Sequence, residues 1–345
     1  MMHQPLGELS AGDKVAVLSP SFAAPGKFPE VFELGLKRMR DIFNLEPIEY
    51  PTTRKIGASS EERAQDLISA FSDPNIKAVF ASIGGNDQIT YIKNLSKEVF
   101  INNPKPFFGF SDNTHFANFL WLNGIPSYYG GSVMTQFAMQ GEMDPFTIKY
   151  LHYALFEHGK KELTESSEYN DEGLDWANTS NLGKKRNYEK NDGWYWSGEI
   201  DVEGVSWGGC LESLDEMLRH DTQLPSNEEF KDVVLICETS EEIPSTDYVF
   251  RVFRALGERG ILSKIKAVLV GRPKAWEFNK PQGVEEKRLY RDEQRKMIES
   301  VVNSYHSGIP IVQNLDFGHT DPQIPFPYGK RVYIESSKKR IWADF

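Results

Sequence analysis

The chain has 345 residues, 39% hydrophobic and 12% aromatic, enough for one large or two medium domains with a buried core. Its formal net charge of −11 offers no attraction to nucleic acid or anionic lipid, and no long Lys/Arg run overrides that average, so a small-molecule partner is expected. The N-terminal stretch MMHQPLGELSAGDKVAVLSP lacks a basic segment followed by an unbroken apolar run, and no window reaches about 18 consecutive apolar residues; no membrane association and a cytoplasmic location are expected.

In chain order, the first half alternates short β-rich runs with helical patterns. KVAVLSP (14–20) precedes the helical stretch 28–43, then PIEY (47–50). SSEERAQDLISAFSD (59–73) follows, its Ser60 and Arg63 flanking a capped helix start, then IKAVFASIGG (76–85), FFGFS (107–111) and the helix DNTHFANFLWLNG. This grammar predicts an α/β fold whose N-terminal part, 1–160, is a mostly parallel sheet with helices on both faces and a ligand site beyond the carboxyl ends of its strands.

Residues 161–200 are polar, rich in Asn and Gly, and show no convincing period. They read as a long ordered loop that binds substrate or, alternatively, as a hairpin packing Trp176, Trp194 and Trp196 on the second domain. A second α/β domain, 201–345, resumes with DVEGVSWGGCLESLDEML (201–218), strand VVLICE (233–238), a helix at 246–260, strand IKAVLVG (265–271), a helix at 285–305, strand IPIVQNLDFGH and a terminal hairpin. Cys210 and Cys237 supply neither a disulfide framework nor a metal cluster and read as buried, reduced side chains.

Ser111 stands where an apolar strand ending in Gly-Phe enters a helix. That is the geometry of a nucleophile elbow, although GFSDN lacks the second glycine of G-x-S-x-G, and a serine in this position is also an ordinary helix cap. An elbow would leave the N–H of Asp112 available to an oxyanion. Of seven histidines, His3 lies at the terminus, and His152, His158, His220 and His306 fall on or at the ends of amphipathic helices. His115, one turn beyond Ser111, competes as a base; His319 in NLDFGHTDPQIPFPYG follows a strand and precedes a Pro-rich loop that would hold it rigid. Glu238 closes the apolar strand VVLIC, where a charge is costly unless paired, with Glu241 and Glu242 as rivals for the orienting acid. The pair Gly84-Gly85 in SIGGNDQ lacks the Lys of a phosphate loop; it suits close approach to a substrate oxyanion or carboxylate, or is a plain tight turn.

Taken together, VLSPSFAAP, SIGGNDQ, GFSDNT, SWGGCLESL, ICETSEE, VLVGRP and FGHTDPQIPFPYG, in that order, resemble the serine peptidases of the LD-carboxypeptidase type, and more closely their microcin-immunity branch. The resemblance spans nearly the whole chain. It implies a flavodoxin-like N-terminal half carrying the nucleophile Ser111, and a C-terminal half with a mixed sheet carrying the acid Glu238 and the base His319. It further implies oxyanion donors at the amides of Gly85 and Asp112, no metal or cofactor, a homodimer, and a structural role for His115. Within the family, LD-carboxypeptidases release a terminal D-alanine from a muropeptide, whereas the microcin-immunity branch cuts an amide-like bond between an aminoacyl or peptidyl group and a nucleotide analogue and looks like it stacks a loop tryptophan on the base. Trp176 in LDWAN is the matching candidate, with Trp194 and Trp196 as alternatives. Lys184, Lys185 and Arg186 in the same loop could approach a phosphate, or form a solvated charge run.

Overall fold

The computed structural model describes Gln4, residues 6–221 and residues 223–345. His3 therefore lies outside the described residues. Alternation of strands and helices gives two main sheets. The first is built from Lys14–Leu18, Glu46–Glu49, Ile76–Ala81, Phe107–Gly109 and Ser127–Tyr129, all parallel, in the spatial order 46–49, 14–18, 76–81, 107–109, 127–129. This is the flavodoxin-like order 2-1-3-4-5. Its strands are buried nearly throughout because helices cover both faces: Pro29–Phe43 on one, Ser60–Ser72 and Thr114–Leu122 on the other. The helix Ser60–Ser72 is capped by Ser59; its hydroxyl accepts from the Glu62 N–H and the Glu62 carboxylate accepts from the Ser59 N–H.

The second sheet is mixed. Val202–Cys210, Val233–Glu238, Ala267–Gly271 and Ile311–Leu315 form its parallel centre, and the hairpin Arg331–Glu335/Arg340–Asp344 extends it on one side. The segment between the sheets is not structureless. Lys160–Leu163 pairs antiparallel with Arg340–Asp344 at one edge, Tyr195–Ser197 pairs with Ile311–Leu315 at the other, and Glu168–Tyr169 pairs with Glu189–Lys190 as a small ribbon. From this segment, it is the stretch enclosed by that ribbon, through residues 170–176 and Arg186, that reaches the cavity beside Ser111.

Several connections bind the sheets to each other. Phe326–Tyr328, late in the chain, crosses back to pair antiparallel with Ser127–Tyr129 of the first sheet. The Cys210 N–H donates to Thr114 Oγ1 at 3.0 Å, joining the carboxyl end of the strand Val202–Cys210 to the start of the helix behind Ser111. Both cysteines are buried free thiols, their pKa values pushed up first by that burial.

Candidate active site

The carboxyl ends of the two parallel strand sets converge, and a cavity of about 470 Å³ opens between them. Ser111 follows the strand Phe107–Gly109 and begins a short 3₁₀ turn, Ser111–Asn113, that runs into the helix Thr114–Leu122. Its φ of 62° is left-handed, a strained position for a residue with a side chain, of the order of 1–3 kcal/mol. The strain is held in place from three directions. The Ser111 N–H donates to Tyr129 Oη at 3.2 Å, the Ser111 carbonyl accepts from Thr114 Oγ1 at 2.6 Å, and Asn113 Nδ2 donates to the Phe110 carbonyl at 3.0 Å. Among the described residues the Ser111 side chain caps no helix N–H, and it lines the cavity.

Gly84 packs directly against this elbow: a Cβ there would come within 2.9 Å of Ser111 Cβ and 3.1 Å of its Oγ. The Asp112 carboxylate ties the glycine loop down, accepting from Ser21 Oγ (2.5 Å), the Gln88 N–H (3.0 Å) and the Asp87 N–H (3.2 Å). Burial pushes its pKa up, with nearby His115 and the donors Ser21 and Gln88 opposing. Neither the Gly85 nor the Asp112 N–H makes a backbone hydrogen bond among the described residues, so both are available to an incoming oxygen.

Glu238, the last residue of its strand, is 0% exposed at the side chain and lies behind His319, whose Nδ1 is 2.6 Å from Glu238 Oε2. The approach needs glycine at 318: its φ is +98°, and a Cβ would meet Glu238 Oε2 at 2.5 Å. Tyr129 completes the set, donating from Oη to Glu238 Oε1 at 2.6 Å while accepting from the Ser111 N–H. Burial, then Glu238, holds the Tyr129 phenol well above its ordinary pKa, so it remains a donor. The Phe110 ring packs edge-on against the imidazole at 5.0 Å.

On its other side His319 Nε2 meets the Glu241 carboxylate at 3.1 Å, a charge contact without hydrogen-bond geometry, and has no hydrogen bond to Ser111. Burial alone would lower the His319 pKa; Glu238 and then Glu241 more than reverse this and raise it to about 10. Burial alone would raise Glu241, but His319 takes its carboxyl down to about 2. Glu241, a rival for the acid by sequence, thus sits at the opposite nitrogen from Glu238. Glu242 does not line the cavity.

The other candidates separate cleanly. His115 is buried, with Nε2 3.1 Å from Glu216 and 3.7 Å from Asp112, outside the cavity lining. Trp176 is half-buried, lines the cavity and packs edge-on against Phe28 at 5.6 Å. Trp194 is buried with its indole N–H 3.3 Å from Asp316, and Trp196 lies in an edge strand; neither lines the cavity. Lys184 and Lys185 are exposed, whereas Arg186 turns inward to Asp321, so the charge run is solvated in two of its three members. The bridging Tyr129 and the Glu241 contact were not assigned by sequence. Tyr129 ends the strand in IPSYYGG, and that position was the only available signal.

Models described as the LD-carboxypeptidase N-terminal domain and C-terminal domain match residues 15–130 and 203–334. YocD of Bacillus subtilis (strain 168), provisionally named a carboxypeptidase, is 31% identical over 292 residues, 83% of this chain and 82% of its own. The microcin C7 self-immunity protein MccF of Escherichia coli is 25% identical over 291 residues, 81% and 77% of the two chains. An MccF-like protein from Streptococcus pneumoniae, solved in complex with AMP, matches with a TM-score of 0.84 at 27% identity, covering 96% of this chain and 99% of that one.

Proposed function

The chain belongs to the LD-carboxypeptidase family of serine-type peptidases, and from that premise we propose that it hydrolyses the amide-type bond between an aminoacyl or peptidyl group and a nucleotide. Ser111 Oγ attacks the carbonyl carbon while His319 Nε2 takes its proton. Glu238 holds the imidazole through Nδ1, and the amides of Gly85 and Asp112 receive the developing oxyanion. His319 returns the proton to the leaving nitrogen as the C–N bond breaks, and water then clears the acyl-enzyme. Proton transfer from Ser111 requires His319 Nε2 to exchange Glu241 for Ser111.

The observation that carries the nucleotide reading is Trp176. It shares one cavity with Gly84, Ser111 and His319, and that cavity's volume of about 470 Å³ falls within the range of small-molecule sites. Stacking on such a ring is worth on the order of 1–3 kcal/mol per base. The AMP held by the Streptococcus pneumoniae relative supports the same reading. A second reading, release of D-alanine from a muropeptide, is favoured by the carboxypeptidase name carried by YocD. A cytoplasmic homodimer is proposed alongside, on the family resemblance; sedimentation velocity of the purified protein tests the dimer.

Parallel hydrolysis of an aminoacyl sulfamoyl adenosine and a muramyl tetrapeptide, followed by mass spectrometry, decides between the two. Cleavage of the nucleotide conjugate, abolished by Ser111→Ala and weakened about tenfold or more by Trp176→Ala, is the expected result. Release of D-alanine with no cleavage of the conjugate would replace the nucleotide reading with the second one.

A further inference from the structure

Among the described residues, two of those that line the cavity carry buried side-chain polar atoms without a hydrogen-bond partner. One is His319 Nε2, which the reaction uses. The other is Arg186, whose Nε and Nη2 both lack a partner although its side chain is only 9% exposed. Its remaining nitrogen, Nη1, donates to Asp321 Oδ2 at 2.8 Å, and the Tyr188 hydroxyl lies beside the guanidinium, close enough for a side-chain contact but without the geometry of a hydrogen bond to Nε or Nη2. A guanidinium buried to this depth, with two nitrogens that no acceptor meets in good geometry, is costly unless something else accepts from them. Nε and Nη2 lie on one edge of the guanidinium, the spacing that grips two oxygens of one anion side by side.

The position of Arg186 says which part of a substrate it meets. It is carried by the loop that carries Trp176, and Asp321 anchors it two residues from His319. Lys274, the other cation of the lining, is already 2.8 Å from Glu277. Resting on the reading above, we propose that Arg186 is a specificity-determining residue that holds, through Nε and Nη2, a two-oxygen anionic group on the leaving-group side of the scissile bond. That group is the phosphoryl or sulfamoyl linkage of a nucleotide conjugate, or the terminal carboxylate of a peptide. Asp321 keeps the fork oriented and leaves that edge of it free.

The test compares ligands that differ in this group alone. Titration calorimetry measures AMP against adenosine, and steady-state kinetics measures a muramyl tetrapeptide against its C-terminal amide, each with wild type, Arg186→Lys and Arg186→Gln. The expected result is a preference for the anionic member of at least one pair by about tenfold or more, shrinking to about twofold or less in both variants. For the peptide pair the change falls on KM with kcat retained; for the nucleotide pair adenosine affinity is unchanged. A gap in the first pair alone assigns the linkage anion, and in the second alone the carboxylate. The proposal is overturned if wild type separates neither pair, or if the variants weaken both members equally, which is the signature of a purely structural latch to Asp321. Failure of wild type to hydrolyse either substrate class while AMP and adenosine remain distinguished would sink the functional reading and leave the anion site standing.

Discussion

His319 lies between two carboxylates, and each has a different consequence. Glu238 at Nδ1 orients the ring, whereas Glu241 at Nε2 occupies the nitrogen that must receive the Ser111 proton. A base works in its neutral form, and both carboxylates raise the His319 pKa, so turnover should climb as pH rises and the imidazole deprotonates. Glu241→Gln removes one of them and should move the acidic limb of the kcat/KM profile, which reports the free enzyme, to lower pH; an unmoved limb would show that Glu241 does not act on Nε2 there. The same shift bears on stability with a fixed sign. A pKa raised from 6.5 to about 10 stabilises the fold fully below 6.5, and that contribution is lost as pH rises through about 10. Tyr129→Phe removes the link between Glu238 and the Ser111 N–H, and should lower kcat by up to about 10²-fold with little change in KM. Ser111, Glu238 and His319 could be picked out as candidates from sequence because each stands at a strand end, a local property. Tyr129 could not, since its partner lies 109 positions away and only the packing of two sheets brings them together.

At the scale of elements, the loop bearing Trp176 and Arg186 is held to the rest of the molecule by buried charge. Lys287, on the helix Val284–Tyr305 and 0% exposed, contacts Asp171 and Glu172 at 3.0 Å and also Glu189, while Arg291 on the same helix pairs with Asp171. The three carboxylates gather close enough to hold a cation, and the Lys287 ammonium is that cation. Lys287→Met would leave them facing one another and should cost about 3–5 kcal/mol, read by urea denaturation. Faster amide exchange across 168–190 and a KM that rises more than kcat falls are the accompanying expectations. None of this clamp was legible beforehand. A polar, aperiodic stretch gives no pattern to read, and its order comes from a helix more than 90 residues further along. The strands and helices flanking it were legible, because their apolar periods are set locally by the faces they bury.

For the whole molecule, the crossing of Phe326–Tyr328 into the first sheet and of Lys160–Leu163 into the second makes each sheet depend on residues from the other half of the chain. Residues 1–160 and 201–345 produced separately should each fail to give a cooperative fold, and the intact chain should unfold in one transition by both fluorescence and circular dichroism; two resolved transitions would show that the halves are independent. Sequence periodicity cannot reveal such an exchange, since a short apolar strand carries no mark of the sheet it joins. The interlock matters because the reacting groups come from both halves: Ser111 from the first, Glu238 and His319 from the second. The most direct test is therefore chemical. Wild-type protein turning over an aminoacyl sulfamoyl adenosine is quenched in acid, digested and mapped by mass spectrometry. An acyl group on the peptide containing Ser111, absent from Ser111→Ala, is predicted; turnover by Ser111→Ala, or an acyl group on another residue, would contradict it.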